Sequence, residues 1–123
     1  MKLYHGSKTP FTKFDVNLAG TNTILADGLK LGLWLTDNPS YAQQYGPIVM
    51  EVEVPEDINL KRYDSWDRLE QEINEYDSPE DFVTTLLNNN FQGVIFYQTS
   101  WSPGQDIGIF DPSIIESLEF SKI

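Results

Sequence analysis

The chain has 123 residues, of which 40% are hydrophobic and 13% aromatic, so it can bury one core without staples. It holds no cysteine, which excludes a disulfide scaffold, a thiolate metal site and a cysteine nucleophile. Eight lysines and arginines stand against nineteen aspartates and glutamates, a net charge of −11; a field of that sign repels nucleic acid and anionic membrane, and it serves either solubility or the binding of a basic protein partner.

A single histidine excludes a metal centre built on several imidazoles, and no metal is expected. No stretch approaches the roughly 20 apolar residues that span a bilayer. The first residues lack the apolar run of a signal peptide, so the expected location is cytoplasmic. With no repeat and no linker, residues 1–123 read as one domain.

Residues 2–5 are apolar and aromatic and predict a first strand, stopped at Gly6-Ser7. Residues 8–30 are polar and punctuated by Gly20 and Gly28, which predicts a long loop with a helical turn over 21–27. A loop of that length in a compact domain is usually either functional or a misread element. Residues 31–36 predict a second strand. Asn38-Pro39 then predicts a capped helix start, running to about Tyr45 and stopped by Gly46-Pro47. Residues 48–54 alternate apolar and acidic side chains, the pattern of a strand with one wet face.

Trp66, Leu69, Ile73 and Tyr76 fall at helical spacing within 64–76. Ser78-Pro79-Glu80-Asp81 predicts the start of a further helix through about Leu87, ended by Asn88-Asn89-Asn90. Residues 94–97 predict a fully buried strand. A loop carrying Trp101 follows, and then a strand that begins near Gln105-Asp106 and ends at Asp111-Pro112. Residues 116–120 predict a last edge strand. Strands and helices mix without βαβ alternation, so the predicted class is α+β, and no GxGxxG or P-loop follows any strand.

Three places can carry chemistry. His5 ends the first strand, and Gly6 after it permits close approach to the backbone. Trp34 and Tyr45 lie across a strand–helix junction, where two aromatics can sandwich a flat heterocycle or simply fill a core. Asp106 starts a strand next to Pro103-Gly104, where it can face a cleft or merely be a solvated loop acid.

In their order, these blocks resemble the ADP-ribosyltransferases of the His-Tyr-Glu class, the diphtheria-toxin-like and poly(ADP-ribose) polymerase-like enzymes with their small bacterial and phage relatives. Leu3-Tyr4-His5-Gly6-Ser7 is similar to that family's His-Gly-Thr/Ser. Gly32-Leu33-Trp34-Leu35-Thr36-Asp37, followed by Ser40 and Tyr45, looks like its Gly-Ile-Tyr-Phe-Ala-Asp block. Gln105 to Pro112 resembles its Glu-Tyr-Val-Val-Phe-Asp-Pro strand, with Asp106 at the glutamate position.

The resemblance implies a split core of two antiparallel sheets facing an NAD-binding cleft. It implies NAD as co-substrate and His5, Trp34 and Asp106 as catalytic residues. His5, Gly6, Ser7, Trp34, Ser40 and Tyr45 would bind NAD, with His5 on a ribose hydroxyl, Gly6 on the carboxamide and the two aromatics on the nicotinamide ring. The implied activity is mono-ADP-ribosyl transfer to a protein acceptor, with NAD hydrolysis beside it, in a toxin or phage effector acting in a bacterial or host-cell cytoplasm.

The chain departs from the family pattern at three places. Trp34 replaces a tyrosine, Ala42 replaces the serine that polymerase-type members use on the carboxamide, and Asp106 is one methylene shorter than glutamate. The shorter acid argues against chain elongation. Two other readings stand beside the enzyme: an NAD-binding module with little turnover, and a protein-interaction domain that works through its acidic surface.

Overall fold

Alternating apolar side chains and well-marked caps shape most of the elements that position the site. The computed structural model describes residues 1–14, 32–97 and 104–123. In chain order these hold β1 (Lys2–Ser7), β2 (Leu33–Thr36), α1 (Pro39–Ala42), β3 (Ile48–Glu53), β4 (Leu60–Tyr63), α2 (Trp66–Ile73), α3 (Pro79–Asn88), β5 (Gly93–Tyr97), β6 (Gln105–Ile109), α4 (Pro112–Ser117) and β7 (Phe120–Lys122). The class is α+β. The expected helical turn over 21–27, most of the 8–30 loop and Trp101 lie outside the described residues.

The expectation of two facing sheets is corrected. The seven strands form one sheet in the order β4-β5-β6-β2-β1-β3-β7, antiparallel throughout except for the parallel pair β4–β5. The physical reason lies at the joint between β1 and β2. Tyr4 pairs with Thr36 there, and the His5 ring bonds the Trp34 carbonyl at 2.9 Å, so the two halves are stitched edge to edge. The joint is narrow: one register pair, against six between β1 and β3.

Each sheet face carries its own core. Leu3, Leu33, Leu35, Met50, Val52, Ile107 and Ile109 meet Ile115 and Leu118 from the α4 region on one face. Val94, Phe96 and Phe110 meet Leu69 and Ile73 of α2 and Phe82 and Leu86 of α3 on the other. β5 contributes to both, with Ile95 on the first face and Val94 and Phe96 on the second. That double burial accounts for its unbroken apolar run.

The caps shape the helices. Ser65 and Ser78 accept from the amides of Arg68 and Asp81, so α2 and α3 begin one residue after each serine. α2 is therefore shorter than the expected 64–76. At the far end of α3, Asn90 adopts φ +68°, a left-handed conformation that asparagine tolerates, and the Phe91 amide returns to Leu86 O.

Two elements went unpredicted. Asp111-Pro112, read as a strand stop, also starts α4, with Asp111 accepting from the Ser113 amide. This moves the expected edge strand from 116–120 to Phe120–Lys122. β4 has no alternating pattern because it is a charged edge strand carrying Lys61 and Arg62, paired on one side only. α1 is also shorter than expected. The Gln44 and Tyr45 amides bond Tyr41 O and Ala42 O in tighter i→i+3 turns.

Candidate active site around the second strand

β2 sits beside both β6 and β1, and it organises the candidate residues. Thr36 is in register with Asp106 of β6, and Asp106 is in register with Phe96 of β5 on its other side. Both polar side chains are buried, Thr36 at 3% and Asp106 at 7% exposure. A carboxylate held this far from water sits where a charge acts at short range with little screening. Asp37 reinforces the start of β6: its amide donates to Gln105 O at 3.2 Å, and its Oδ1 accepts from the Gln105 amide at 2.9 Å. Gly104 just before has φ +119°, and a Cβ there would collide with Asp37 Oδ1, so two reasons require glycine at the turn into the acid.

Trp34 lies two residues from Thr36 on the same face, opposite Gly108. Its six-membered ring covers the Gly108 α-carbon, and Phe96 and Phe110 flank it at centroid distances of 6.2 and 5.8 Å. Trp34 remains half-buried.

Tyr45 comes from the turn after α1. Its hydroxyl donates to Tyr41 Oη at 2.9 Å, and the rings meet edge to face at 5.5 Å. Burial, then the Tyr41 bond and the negative charge of Asp106, raise the Tyr45 hydroxyl above its ordinary value. It therefore stays protonated.

His5 faces the Leu3 side of β1, between the edges of Phe11 and Phe14 at 5.9 and 5.6 Å. Its Nδ1 bonds the Trp34 carbonyl at 2.9 Å. A carbonyl only accepts, so Nδ1 carries the proton and neutral His5 keeps Nε2 as an acceptor. Burial pushes the imidazole below its ordinary 6.5, against the Trp34 bond that favours the charged form.

Gly6 and Ser7 do something the sequence did not reveal. A Cβ at Gly6 would fall inside the Ala42 carbonyl oxygen, and one at Gly46 inside the Ser7 carbonyl. The close approach that Gly6 permits is taken by the chain itself, where α1 and its turn lie against β1. Ser7 is buried at 5% exposure and turns its hydroxyl onto Thr9 O at 2.7 Å. Ser40 is exposed in the first turn of α1, its amide held by Asn38 Oδ1 at 3.0 Å.

Trp34 and Asp106 thus share one face of the sheet on neighbouring rows, whereas His5 lies on the opposite face and reaches β2 only through its bond to the Trp34 carbonyl; Gly6 and Ser7 lie behind α1 and Ser40 on its outer side. Sequence reasoning missed Thr36 as the buried polar partner row of Asp106 and Tyr41 as the partner of Tyr45. A threonine ending an otherwise apolar strand was the available signal for the first; the i,i+4 spacing of Tyr41 and Tyr45 on the expected helix was the signal for the second. Among the described residues, no group of three or more histidine, aspartate or glutamate side chains could hold a metal ion, and no helix is long and apolar enough to cross a membrane. Comparison with protein-family models, curated proteins and solved structures yields no match for this chain.

Proposed function

We propose that the chain is a mono-ADP-ribosyltransferase that cleaves NAD and passes ADP-ribose to a protein acceptor. The observation that carries this reading is a buried Asp106 on the same sheet face as the half-buried Trp34 ring and one row from it.

In this reading the C1′–N bond of the nicotinamide ribose breaks and its electron pair leaves with neutral nicotinamide. C1′ becomes positive, an oxocarbenium-like state. The Asp106 carboxylate stabilises that charge more in the transition state than in NAD itself, where the positive charge resides on the nicotinamide ring. A lone pair on the acceptor then forms the new bond to C1′, and the acceptor's proton passes to solvent. Trp34 and the protonated Tyr45 flank the nicotinamide ring; His5, on the opposite sheet face, does not reach the ribose and holds the strand of Trp34 through its bond to the Trp34 carbonyl. The net charge of −11 favours a basic protein acceptor over nucleic acid. A bacterial or host-cell cytoplasm supplies NAD and such proteins.

Nicotinamide release from NAD by the purified protein, with and without lysate, tests the reading beside Asp106→Asn. Loss of the carboxylate should cut release by roughly 100- to 1,000-fold, about 2.7–4 kcal/mol, with NAD binding retained. Release that Asp106→Asn leaves unchanged refutes the proposal. NAD binding without release in either form would point to the binding module.

A further inference from the structure

A polar depression of about 150 Å³ lies between β4 and α2, lined by Tyr63, Arg68, Gln71, Glu72 and Glu75. Two atoms of this lining are sealed from water without a hydrogen-bond partner: Tyr63 Oη and Glu72 Oε2. Tyr63 is more than nine-tenths buried, at 8% exposure. Glu72 spends its other oxygen on Lys61 Nζ at 2.9 Å, and the same ammonium lies 5.5 Å over the Tyr63 ring. Buried polar groups in native folds are almost always paired, so two orphans in one depression call for an explanation.

The chemistry of the orphans selects the missing group. A carboxylate oxygen only accepts, and a phenol accepts or donates. What serves both, and Glu75 beside them, is a group with several N–H donors and a positive charge. An anion would meet Glu72 and Glu75 instead. The surroundings agree in sign, because residues 61–81 carry eight acidic side chains against Lys61, Arg62 and Arg68. Because both atoms are sealed, a ligand reaches them only when covering side chains swing aside; Arg68, Gln71 and Glu75 of the lining are exposed, with Arg68 bonded to Gln71 Oε1 at 3.3 Å.

We infer that this depression binds an alkylammonium or guanidinium group, presented by a lysine or arginine side chain of a partner protein. Tyr63 pairs with Phe96 and Phe96 with Asp106, so the site lies two strands from the candidate active site. It does not depend on the NAD reading, and its test uses no NAD.

The test is a titration of isotope-labelled protein, followed by amide chemical shifts, with spermidine, N-acetyl-arginine amide and a short peptide carrying one arginine and one lysine. The inference expects saturable shifts confined to β4 and α2, with the peptide binding more tightly than spermidine. Affinity should fall about tenfold in Tyr63→Phe and Glu72→Gln and stay unchanged in Asp67→Asn, an exposed acid of the same helix outside the depression. Tyr63→Phe should fold at least as stably as the parent, because the hydroxyl it removes has no partner. Unsaturable shifts, equal weakening by Asp67→Asn, or a less stable Tyr63→Phe would each overturn the inference. Spermidine binding as tightly as the peptide would overturn the assignment to a protein side chain.

Discussion

Gly108→Ala is the sharpest check on how Trp34 is seated, because the sign of its effect is decided by one ring. Gly108 does not have a positive φ, the described exception among glycines being Gly104. Alanine is therefore conformationally allowed, and on chain entropy alone it would stabilise by about 0.4–1 kcal/mol. The new Cβ, however, would lie 2.7 to 2.9 Å from Cη2, Cζ3 and Cζ2 of Trp34. Carbon pairs rest at about 3.5–4.0 Å, so the ring has to retreat by roughly 1 Å. Phe96 and Phe110 flank it and resist that movement. Overpacking of this kind costs about 1–3 kcal/mol. The net expectation is a loss of about 1–2 kcal/mol, or a fall in Tm of roughly 3–10 °C. Urea denaturation of Gly108→Ala in the parent and in a Trp34→Leu background measures it. With the indole gone, the alanine should become neutral or stabilising, a coupling of 1 kcal/mol or more on the order expected for touching groups. A Gly108→Ala that stabilises the parent, or that costs the same in both backgrounds, refutes the placement of the ring.

Other expectations follow from the same contacts. Gly6→Ala should destabilise more than Gly108→Ala, by over about 2 kcal/mol, because its Cβ meets the Ala42 carbonyl of the main chain and not a side chain; the urea midpoint measures this. His5 has its folded pKa lowered from 6.5, so the unfolded chain takes up the proton first. Its contribution to stability is full above pH 6.5 and declines as the pH falls from there through the folded pKa. Denaturation midpoints between pH 8 and pH 5 should show that decline in the parent and a flatter profile in His5→Gln. Ser78→Ala removes the oxygen that accepts from the Asp81 amide and should cost about 1 kcal/mol, read by thermal denaturation.

The helices that carry their own punctuation were legible. Ser78-Pro79 sets the start of α3 because the hydroxyl and the fixed proline φ act within one turn. The alternation over 48–54 marks β3 because a half-buried strand writes its two faces into adjacent residues. β4 was not legible, since an edge strand of charged residues is defined by its neighbour β5 and not by its own pattern. α4 was hidden because Asp111-Pro112 ends a strand and begins a helix with the same two residues.

The candidate site divides along the same line. Residue types and order along the chain were enough to single out His5, Trp34, Tyr45 and Asp106, because each chemistry demands a particular side chain. Their relation in space came from long-range pairing: Thr36 against Asp106 and the His5 ring against the Trp34 carbonyl. The same pairing decided that the strands make one sheet and not two, through a single register pair and one side-chain bond between β1 and β2. Local sequence determines turns, caps and faces because those forces act over a few residues. Which strand edges meet, and whether Gly6 admits a ligand or the Ala42 carbonyl, depends on contacts between residues far apart in the chain, and only the tertiary structure decides them.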